Sequence, residues 1–386
     1  MNNLTNKTIS VLGSSGSVGR QALDVAKKHS IRVYGITAST SVDLVEQQIR
    51  EFSPAFCAML DESAAAELKS RVADTDCTIL SGVDGICDIA SAAENDIVIN
   101  SITGIAGLKP SLAVIRAGKN LALANKETIV TAGKLVMSEA EKYGVSILPV
   151  DSEHSAIFQS IGANKKSDIA RILLTASGGP FFGRKREELT DITPERALAH
   201  PTWNMGPKIT VDSASLMNKG FEVIEAVQLF GIPAEKVEVI VHRESIIHSL
   251  VEYNDRTTLA QLSHPDMRLP IQYALSYPDH FESDLKPLDL VTAGKMTFAA
   301  PDTETFKLLA LAYHVAKHPD GTMGATLNGA NERAVELFLN NKISFTDIFD
   351  SVEHVVMNAD VMELTVDNVF LADKEARWAV DNYFRS

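Results

Sequence analysis

The chain has 386 residues, of which 45% are hydrophobic and 22% are charged, an ordinary composition for a globular protein of two or three domains. The net charge of −14 argues against general binding to nucleic acid, because such binding depends on cationic side chains that neutralise phosphates. No apolar stretch reaches the roughly 18 residues that a membrane-spanning helix needs, so we expect no membrane partner.

Residues 1–150 are predicted to form a first domain in which strands alternate with helices. A short buried strand at 8–12 is followed by a glycine-rich turn and a helix at 20–29. The same order continues through predicted strands at 31–38, 56–60, 78–80, 96–102, 120–124 and 146–150 and predicted helices at 43–52, 64–72 and 111–119. This alternation predicts a mainly parallel, doubly wound α/β sheet of the Rossmann-like type.

Residues 151–275 are predicted to form a second α/β domain with one mixed sheet. Several of its strands alternate apolar with polar residues, and they are predicted at 169–177, 236–242, 245–254 and 258–263. A long helix is predicted at 214–231. Residues 276–300 contain proline and glycine and are predicted to be a linker. Residues 301–386 have helical patterns at 303–318, 326–342, 345–359 and 365–384, which predict a C-terminal helical bundle.

The turn GSSGSVG at residues 13–19 lies between the first strand and the first helix. Glycines at 13, 16 and 19 allow a tight turn and let a dinucleotide pyrophosphate approach the backbone N–H groups at a helix start. Ser14, Ser15 and Ser17 add hydrogen-bond donors. The alternative is a generic tight turn, but the position in the first βα unit favours a dinucleotide site.

The end of the second predicted strand bears on which dinucleotide is bound. Enzymes that use NAD usually have an acidic residue here to bind the ribose hydroxyls, but residues 37–41 read TASTS. The missing acid disfavours NAD and favours NADP. Ser39, Thr40 and Ser41 offer hydroxyls for a 2′-phosphate, although no basic side chain stands among them.

Two carboxylates lie one residue apart where the strand at 146–150 ends. If the chain stays extended, Asp151 and Glu153 point to one face and Ser152 to the other. Carboxylates about 4 Å apart repel by roughly 4 kcal/mol at an effective dielectric constant near 20, which a shared proton or a cation must offset. Oxygen ligands suit Mg²⁺ or Mn²⁺. The alternative is a solvated strand end with the carboxylates apart.

A third carboxylate is predicted on a helix. Asn218 and Lys219 lie four and three residues before Glu222, so all three side chains share one helix face. Gly220 lies inside this helix at a cost of about 1 kcal/mol relative to alanine, which a ligand or another backbone packed against it would explain. The alternative is that Lys219 and Glu222 form only a surface ion pair, worth a few tenths of a kcal/mol.

Further polar residues extend this predicted site. Ser177 follows a strand and Ser213 lies just ahead of the helix, and with Lys219 they form a candidate phosphate-binding site. Trp203 is a candidate lid residue, with an ordinary buried aromatic as the alternative, and His200 is the histidine predicted to contact substrate. The segment NKE at 125–127 ends a strand. His242 and His248 are predicted to be structural, and His154 to begin a helix.

The N-terminal residues and the cysteines together predict a cytoplasmic protein. The first thirteen residues already include the strand predicted at 8–12, and they lack the basic and apolar regions of a secretory signal. Cys57, Cys77 and Cys87 show no CxxC spacing, which favours reduced thiols over disulfides or a zinc site. Because the net charge is strongly negative, an anionic substrate needs a local cationic pocket.

The chain resembles the 1-deoxy-D-xylulose 5-phosphate reductoisomerase family nearly from end to end. The segments that carry the resemblance are GSSGSVG (13–19), LANKE (123–127), PVDSEHSAIFQ (149–159), TASGGPF (175–181), residues 200–226, LSHPDMRLPI (262–271) and LNGANERAVELFL (327–339). The resemblance implies an NADPH- and Mg²⁺- or Mn²⁺-dependent enzyme of the non-mevalonate isoprenoid pathway. It would rearrange and reduce 1-deoxy-D-xylulose 5-phosphate to 2-C-methyl-D-erythritol 4-phosphate, as a homodimer.

The resemblance also implies a role for each matching residue. The metal ligands would be Asp151, Glu153 and Glu222. The residues in contact with the sugar would be Lys126, Ser152 and Glu153, and those that hold its phosphate Ser177, Ser213, Asn218 and Lys219. His200 would close over the substrate, and the lid would include Trp203 and Met205. The residues near the cofactor would be Ser15, Gly16, Ser17, Val18, Asn125, Glu127 and, beside the nicotinamide, Gly206.

Two segments depart from the family pattern. Many members have a glycine, a basic residue and an asparagine where this chain has Ser39, Thr40 and Ser41. The segment VHRES at 241–245 stands where Pro-Gln is common, and we predict that it lies away from the site and affects packing only. Two other functions stay open: a plain NADP-dependent dehydrogenase without rearrangement, and a non-catalytic nucleotide-sensing or structural protein.

Overall fold

The fold is described from a computed structural model, which covers residues 4–199, 203 and 205–385. By its internal contacts the chain forms two compact units. The first unit comprises Met1–Thr128, Val136–Ser155 and Asp266–Asp284. The second unit comprises Ile129–Leu135, Ala156–Pro265 and Leu285–Ser386.

Strands alternate with helices in the N-terminal part of the chain. The strands are β1 (Thr8–Leu12), β2 (Arg32–Ala38), β3 (Phe56–Met59), β4 (Thr78–Ser81), β5 (Ile97–Asn100), β6 (Asn120–Leu123) and β7 (Ile147–Pro149). The helices are α1 (Ser17–Lys28), α2 (Val42–Phe52), α3 (Glu62–Arg71), α4 (Gly82–Ser91), α5 (Leu108–Arg116), α6 (Lys126–Tyr143) and α7 (Ser152–Ile161).

The rest of the chain adds four strands and nine helices within the described residues. The strands are β8 (Ile169–Ala176), β9 (Val237–Val241), β10 (Ile247–Tyr253) and β11 (Thr258–Leu262). The helices are α8 (Pro194–Ala197), α9 (Pro207–Ala214), α10 (Met217–Phe230), α11 (Arg268–Ser276), α12 (Leu290–Ala293), α13 (Lys307–Ala316), α14 (Met323–Leu339), α15 (Phe345–Asn358) and α16 (Val366–Tyr383). Across the described part of the chain, none of the helices has the length and hydropathy to cross a membrane.

The first unit is built on a seven-stranded sheet in the order β4-β3-β2-β1-β5-β6-β7, and every pairing is parallel. The strands are short apolar runs that are mostly buried, as expected for a sheet covered by helices on both faces. The strand order reverses beside β1, and in open α/β sheets ligands bind outside the carboxyl ends of the strands at such a point. The predicted Rossmann-like sheet is confirmed.

Two helices of the N-terminal region were not predicted. Helix α4 begins at Gly82, which has a φ of 71°, and contains Gly85, so its sequence has the composition of a turn. Gly85 is required there, because a Cβ would lie 2.8 Å from the Cβ of Leu80. Helix α6 begins at Lys126, where only the end of a strand was predicted.

The second unit contains a four-stranded sheet in the order β11-β10-β8-β9. Strands β8 and β9 pair in parallel, whereas β10 is antiparallel to both β8 and β11, so the predicted mixed sheet is confirmed. Helices α13 to α16 match the predicted helical segments closely. Their apolar faces share one core in which Phe338, Phe345 and Phe349 are fully buried and stack edge to face.

Sequence analysis places domain boundaries at residues 150, 275 and 300, and this three-domain division with a linker stays a prediction. In the structure, helix α11 packs against α1, β6 and β7 of the first unit. Lys7 donates from Nζ to the carbonyl of Leu275 at 2.6 Å, and His29 Nε2 lies 2.9 Å from Gln272 Oε1. The first unit therefore includes residues from after the second sheet.

Gly220 allows helices α10 and α13 to pack closely. A Cβ at this position would lie 2.6 Å from the Cβ of Ala312 on α13, so the predicted close approach of another element is confirmed. We expect Gly220→Ala to lower the free energy of unfolding by about 1 kcal/mol. Overpacking costs roughly 1–3 kcal/mol, whereas the better helix propensity of alanine returns about 1 kcal/mol. Chemical denaturation measures the difference.

The double variant Gly220→Ala/Ala312→Gly provides the matched control, because it moves the methyl group from one helix to the other. If Gly220→Ala is destabilising because its methyl group overlaps with that of Ala312, the double variant should recover most of the lost free energy of unfolding. Equal stability of Gly220→Ala and the parent protein would contradict the packing explanation.

Candidate active site

The glycine turn after β1 has the geometry of a phosphate-binding loop. Gly13 has a φ of 83° and donates from its N–H to the carbonyl of Thr37 at 3.1 Å. Gly19 lies in the first turns of α1, where a Cβ would lie only 2.2 Å from the carbonyl oxygen of Gly13. The turn and the helix therefore pack against each other in a way that only glycine permits at these positions.

The start of α1 is open for a ligand. Its N-cap is Gly16, which has no side chain to accept the first N–H groups of the helix. Ser15 and Val18 are half-buried, and Gly16 and Ser17 are exposed. By contrast, Ser14 is buried and donates to Gln48 Oε1 at 2.7 Å, so its hydroxyl is structural. Helix starts with free N–H groups bind phosphates well.

Ser39, Thr40 and Ser41 are exposed and follow the end of β2. Ser41 is the N-cap of α2, but its side chain accepts no hydrogen bond from that helix. The carbonyl of Ser39 accepts the N–H of Asp61 at 3.3 Å. The three hydroxyls are therefore accessible at the strand end, and the segment contains no cationic side chain.

Asn125 fixes the start of α6 and so places Lys126 and Glu127. Its Oδ1 accepts the N–H of Thr128 at 2.9 Å as an N-cap, and its Nδ2 donates to the carbonyl of Ile102 at 2.7 Å and to Glu127 Oε2 at 2.9 Å. Asn125 is 2% exposed and its groups are used within the protein. Its predicted cofactor contact stays a prediction.

The extended geometry that was predicted for Asp151 and Glu153 is wrong, because a helix begins between them. Strand β7 ends at Pro149 and α7 begins at Ser152. Asp151 Oδ1 accepts the N–H of Glu153 at 3.2 Å, which is an N-cap interaction that strand geometry does not allow. Both carboxylates are half-buried, and Ser152 donates to Glu153 Oε2 at 2.6 Å.

Asp151 is held as a carboxylate by two neighbours. Its side chain forms an ion pair with Lys126, and His154 Nδ1 lies 3.0 Å from its Oδ1. Burial alone would raise the pKa of Asp151, but the charge of Lys126 and the hydrogen bond from His154 outweigh it and hold the pKa well below its usual range. His154 is fully buried. Sequence analysis predicted that His154 begins a helix, whereas it is the third residue of α7, and its role in orienting Asp151 was missed.

Asn218, Lys219 and Glu222 share one face of α10, as predicted. Lys219 Nζ forms an ion pair with Glu222, and Asn218 Nδ2 donates to Glu222 Oε1 at 2.6 Å. The alternative of a surface ion pair is wrong, because Lys219 is 4% exposed and Glu222 is 1% exposed. A buried charge needs both a counter-ion and hydrogen bonds, and this face provides them for Glu222.

One atom of this group has no partner within the described part of the chain. The side-chain oxygen of Asn218 is buried and accepts no hydrogen bond. The amide cannot simply turn over, because its Oδ1 would then face the carboxylate of Glu222. A ligand hydroxyl or N–H group is the kind of partner that this oxygen requires.

The loop after β8 packs on the helix that carries Ser213. Gly179 has a φ of 66°, and a Cβ there would lie 2.7 Å from the carbonyl oxygen of Ser213. The N–H of Gly179 donates to Ser177 Oγ at 3.3 Å. Ser213 lies in the last turn of α9 rather than ahead of the helix, and Leu216 in the left-handed conformation separates α9 from α10. The predicted single helix at 214–231 therefore begins later.

Arg243 lies next to this loop, so VHRES lies beside the predicted site residue Ser177, whereas sequence analysis expected the segment to stand away from the site. Its Nη1 donates to the carbonyl of Ser177 at 3.0 Å and to the carbonyl of Gly179 at 2.6 Å. The neighbouring His242 is fully buried and bonds to the backbone, as predicted for a structural histidine. The proximity of Arg243 depends on tertiary packing of two separate strands.

The predicted lid is described only in part. His200 lies outside the described residues. Trp203 is half-buried, and its ring lies edge-on to His248 with 6.3 Å between the ring centroids. Met205 is half-buried and Gly206, the N-cap of α9, is exposed.

Asp212 anchors the helix that carries Ser213, and sequence analysis missed it. It is 1% exposed, pairs with Lys208 Nζ at 2.9 Å and accepts from Asn331 Nδ2 at 2.8 Å. We expect Asp212→Ala to lower the free energy of unfolding by about 3 kcal/mol, because Asn331 would keep a buried donor without an acceptor. Urea denaturation followed by circular dichroism measures the loss.

The ion pair between Asp320 and Lys134 provides the control for this prediction. Its two side chains are 74% and 61% exposed, so Asp320→Ala should leave stability close to that of the parent protein. If the two aspartate variants lose equal stability, the anchoring role of Asp212 is contradicted.

Among the described residues, the carboxylates that could hold a divalent cation are Asp151, Glu153 and Glu222, whose ligand oxygens lie within 4.8 Å of one another. Asp151 and Glu222 are each oriented by a lysine and by a second hydrogen-bonding side chain. Such supporting partners are typical of metal ligands. The residues therefore fit a hard cation with oxygen ligands.

Comparison with known proteins identifies the family. Three family models match the chain. The model described as 1-deoxy-D-xylulose 5-phosphate reductoisomerase matches residues 9–133, and the model of the C-terminal domain of that enzyme matches residues 147–230. A third model, described as a DXP reductoisomerase C-terminal domain, matches residues 262–379. The chain is 54% identical over 374 residues to the reductoisomerase of Acetivibrio thermocellus, covering 97% of this chain and 98% of the relative. It is 48% identical to that of Caldanaerobacter subterraneus, covering 96% and 97%.

Solved structures agree with this assignment. The reductoisomerase of Zymomonas mobilis in complex with NADPH superposes with a TM-score of 0.92 at 40% identity and covers 98% of this chain and 99% of that one. A DOX-P reductoisomerase in complex with NADPH, fosmidomycin and magnesium has a TM-score of 0.92 at 38% identity and covers 97% and 98%. The chain belongs to the 1-deoxy-D-xylulose 5-phosphate reductoisomerase family.

Proposed function

We propose that this protein catalyses the NADPH- and divalent-metal-dependent rearrangement and reduction of 1-deoxy-D-xylulose 5-phosphate to 2-C-methyl-D-erythritol 4-phosphate. The observation that carries the proposal is that this chain, a member of the family, brings Asp151, Glu153 and Glu222 together, with supporting partners around Asp151 and Glu222. The family relative with bound NADPH, fosmidomycin and magnesium supports the same cofactor and metal here.

The three carboxylates would together hold Mg²⁺, with Mn²⁺ as the second candidate. Supporting this, Asp151 is held deprotonated by Lys126 and His154, and a carboxylate must be deprotonated to bind a metal. When bound, the cation would polarise the substrate carbonyl and stabilise negative charge on its oxygen. Ser152 and Lys126 would contact the sugar near this end, and Lys126 would balance charge or transfer a proton there.

The phosphate of the substrate would be held by Ser177, Ser213, Asn218 and Lys219. Supporting this, the Ser177 loop packs on the backbone of Ser213, and Lys219 brings a buried cation to the same unit. The unpartnered oxygen of Asn218 suits a hydroxyl of the sugar better than the phosphate itself. His200 is proposed to close over the substrate. Binding energy from the phosphate would orient the reacting carbons.

NADPH is proposed to bind at the glycine turn of the first unit. Ser15, Gly16, Ser17 and Val18 form the open start of α1, where backbone N–H groups would bind the cofactor phosphates. The hydroxyls of Ser39, Thr40 and Ser41 would bind the 2′-phosphate without a basic side chain in that segment. Asn125, Glu127 and Gly206 are proposed to lie near the cofactor. The bound cofactor would supply the hydride that reduces the rearranged aldehyde.

The decisive experiment follows NADPH oxidation by the purified protein with 1-deoxy-D-xylulose 5-phosphate, with and without Mg²⁺ or Mn²⁺. We expect oxidation that requires both substrate and metal and that chelation abolishes. Product analysis by NMR separates the proposal from the plain dehydrogenase, because only the reductoisomerase yields a branched carbon skeleton. Metal-independent oxidation, an unbranched alcohol, or no reaction would each refute the proposal.

We also propose a cytoplasmic homodimer. Support for a dimer comes from β11, an edge strand whose free backbone groups invite pairing and on which Leu259 is 43% exposed. The three cysteines are free, as expected in a reducing compartment. Light scattering coupled to gel filtration tests the dimer, and cell fractionation tests the location. A monomer, or a protein recovered outside the cytoplasm, would contradict the corresponding proposal.

A further inference from the structure

Arg243 holds the backbone of the loop that presents Ser177. A single guanidinium nitrogen donates to two carbonyl groups, at 3.0 Å to Ser177 and at 2.6 Å to Gly179. The guanidinium also lies 5.3 Å from the centre of the Phe182 ring, on the same loop. Arginine is suited to such a position, because its planar group can stack and donate at once.

The two glycines of this loop make its backbone dependent on contacts with neighbouring groups. Gly178 and Gly179 are both in the left-handed conformation, with φ angles of 76° and 66°. Glycine is the most flexible residue of an unrestrained backbone, so two consecutive glycines fix the direction of Ser177 poorly by themselves. The two hydrogen bonds from Arg243 bracket this glycine pair and tie both of its ends to one side chain.

The segment that carries Arg243 is itself well anchored. The N–H of His242 donates to the carbonyl of Ala176 at 2.7 Å, which joins the segment to the end of β8. His242 Nδ1 lies 3.0 Å from the carbonyl of Thr297, and its Nε2 accepts the N–H of Ile246 at 3.2 Å. Arg243 therefore extends from a hydrogen-bonded segment toward the loop that contains the two glycines.

We propose that Arg243 is a positioning residue for substrate binding, which fixes the Ser177–Gly179 loop so that the hydroxyl of Ser177 meets the phosphate of the substrate. The inference rests on the proposed function, in which Ser177 binds that phosphate. Arg243 acts through the loop and not by contact with the substrate. The ligand that the Ser177–Gly179 loop would hold is thus a phosphate monoester.

The test compares Arg243→Gln with the parent enzyme in steady-state kinetics. We expect the KM for 1-deoxy-D-xylulose 5-phosphate to rise roughly tenfold, the effect of losing one charge-assisted hydrogen bond, while kcat changes less than about twofold. The KM for NADPH should stay unchanged. Arg243→Lys, which keeps the charge but not the planar fork, should recover part of the loss and also serves if the glutamine variant does not fold.

Arg256→Gln is the matched control. Arg256 belongs to the same unit, its side chain is 81% exposed, and its partner Glu252 would keep a second ion pair with Arg171. This variant should keep the parent KM for the substrate. A general loss of stability at Arg243 would instead lower the thermal midpoint and change kcat and both KM values together, which would overturn the inference.

A double-mutant cycle with Ser177→Ala identifies the path of the effect. If Arg243 acts through Ser177, Arg243→Gln raises KM little further once Ser177 is alanine. Additive effects of the two substitutions on KM would overturn the inference. It would also be overturned if Ser177→Ala raises KM but Arg243→Gln keeps the KM of the parent enzyme. A parent-like KM in Ser177→Ala would refute the phosphate role of Ser177 in the proposed function, and the inference with it.

Discussion

Glu222→Gln should lower kcat/KM for the substrate by a factor of about 10³ at saturating NADPH. A metal ion contributes several kcal/mol of charge stabilisation to a reaction of this kind, and about 4 kcal/mol corresponds to a factor of 10³. The glutamine side chain keeps an oxygen that Asn218 and Lys219 can donate to, so the face of α10 is expected to stay folded. What the variant removes is one negative charge from the proposed metal site.

A readout besides activity is available. Mg²⁺ that binds the folded protein but not the unfolded chain raises the thermal midpoint of the parent protein, by an amount that grows with metal concentration. In Glu222→Gln this rise should be reduced or shifted to much higher metal concentration. The kinetic prediction is checked by titrating Mg²⁺ in the NADPH oxidation assay.

Glu235→Gln is the control for the loss of a carboxylate. Glu235 is 64% exposed and its only described ion pair, with Lys317, has a separation of 3.6 Å. Its variant should show the metal response and kcat/KM of the parent protein. If Glu222→Gln behaves in the same way as Glu235→Gln, Glu222 is not a metal ligand and the proposed site loses its third carboxylate.

The parts of the fold that sequence analysis predicted are those that local pattern determines. Short apolar runs separated by amphipathic segments predicted all seven strands of the first sheet and all four of the second. The shared face of Asn218, Lys219 and Glu222 follows from helix periodicity alone, and the hydrogen bond at 2.6 Å between Asn218 and Glu222 agrees with it. Helix periodicity also places Gly220 inside a helix, where glycine is unfavourable, and so indicates a close neighbour at that position.

The parts that sequence analysis missed depend on where a helix begins or on contacts between distant segments. Asp151 could equally end a strand or cap a helix, and the hydrogen bond from the N–H of Glu153 is what distinguishes the two. Arg243 reaches a loop that lies more than sixty residues earlier only because β8 and β9 are neighbours in the sheet. No local pattern contains that information.

Four charged groups of the candidate site are all positioned by helices. Asp151 and Lys126 lie at the starts of α7 and α6, and each helix start is fixed by a capping side chain, Asp151 itself in one case and Asn125 in the other. Lys219 and Glu222 lie one turn apart within α10. Helical segments therefore hold all four groups, and rigid elements position functional groups more accurately than loops do.

Gly19→Ala should weaken NADPH binding by roughly a hundredfold and also lower stability. Its Cβ would lie 2.2 Å from the carbonyl oxygen of Gly13 and 2.6 Å from the Cα of Ser14, so the turn must move away from α1. A displacement of about 1 Å in a positioning element can cost a factor of 10². Fluorescence titration with NADPH measures the affinity, and thermal denaturation measures the stability.

Gly16→Ala separates cofactor contact from packing within the same turn. Gly16 has a φ of −72°, and a Cβ there would have only one neighbour, the carbonyl oxygen of Gly13 at 3.4 Å. The protein should therefore keep its thermal midpoint. NADPH affinity should still fall about tenfold, because the added methyl group stands where a pyrophosphate approaches the backbone. Parent-like NADPH affinity in both glycine variants would place the cofactor elsewhere, whereas loss in Gly19→Ala alone would mean that the turn supports the fold without touching the phosphates.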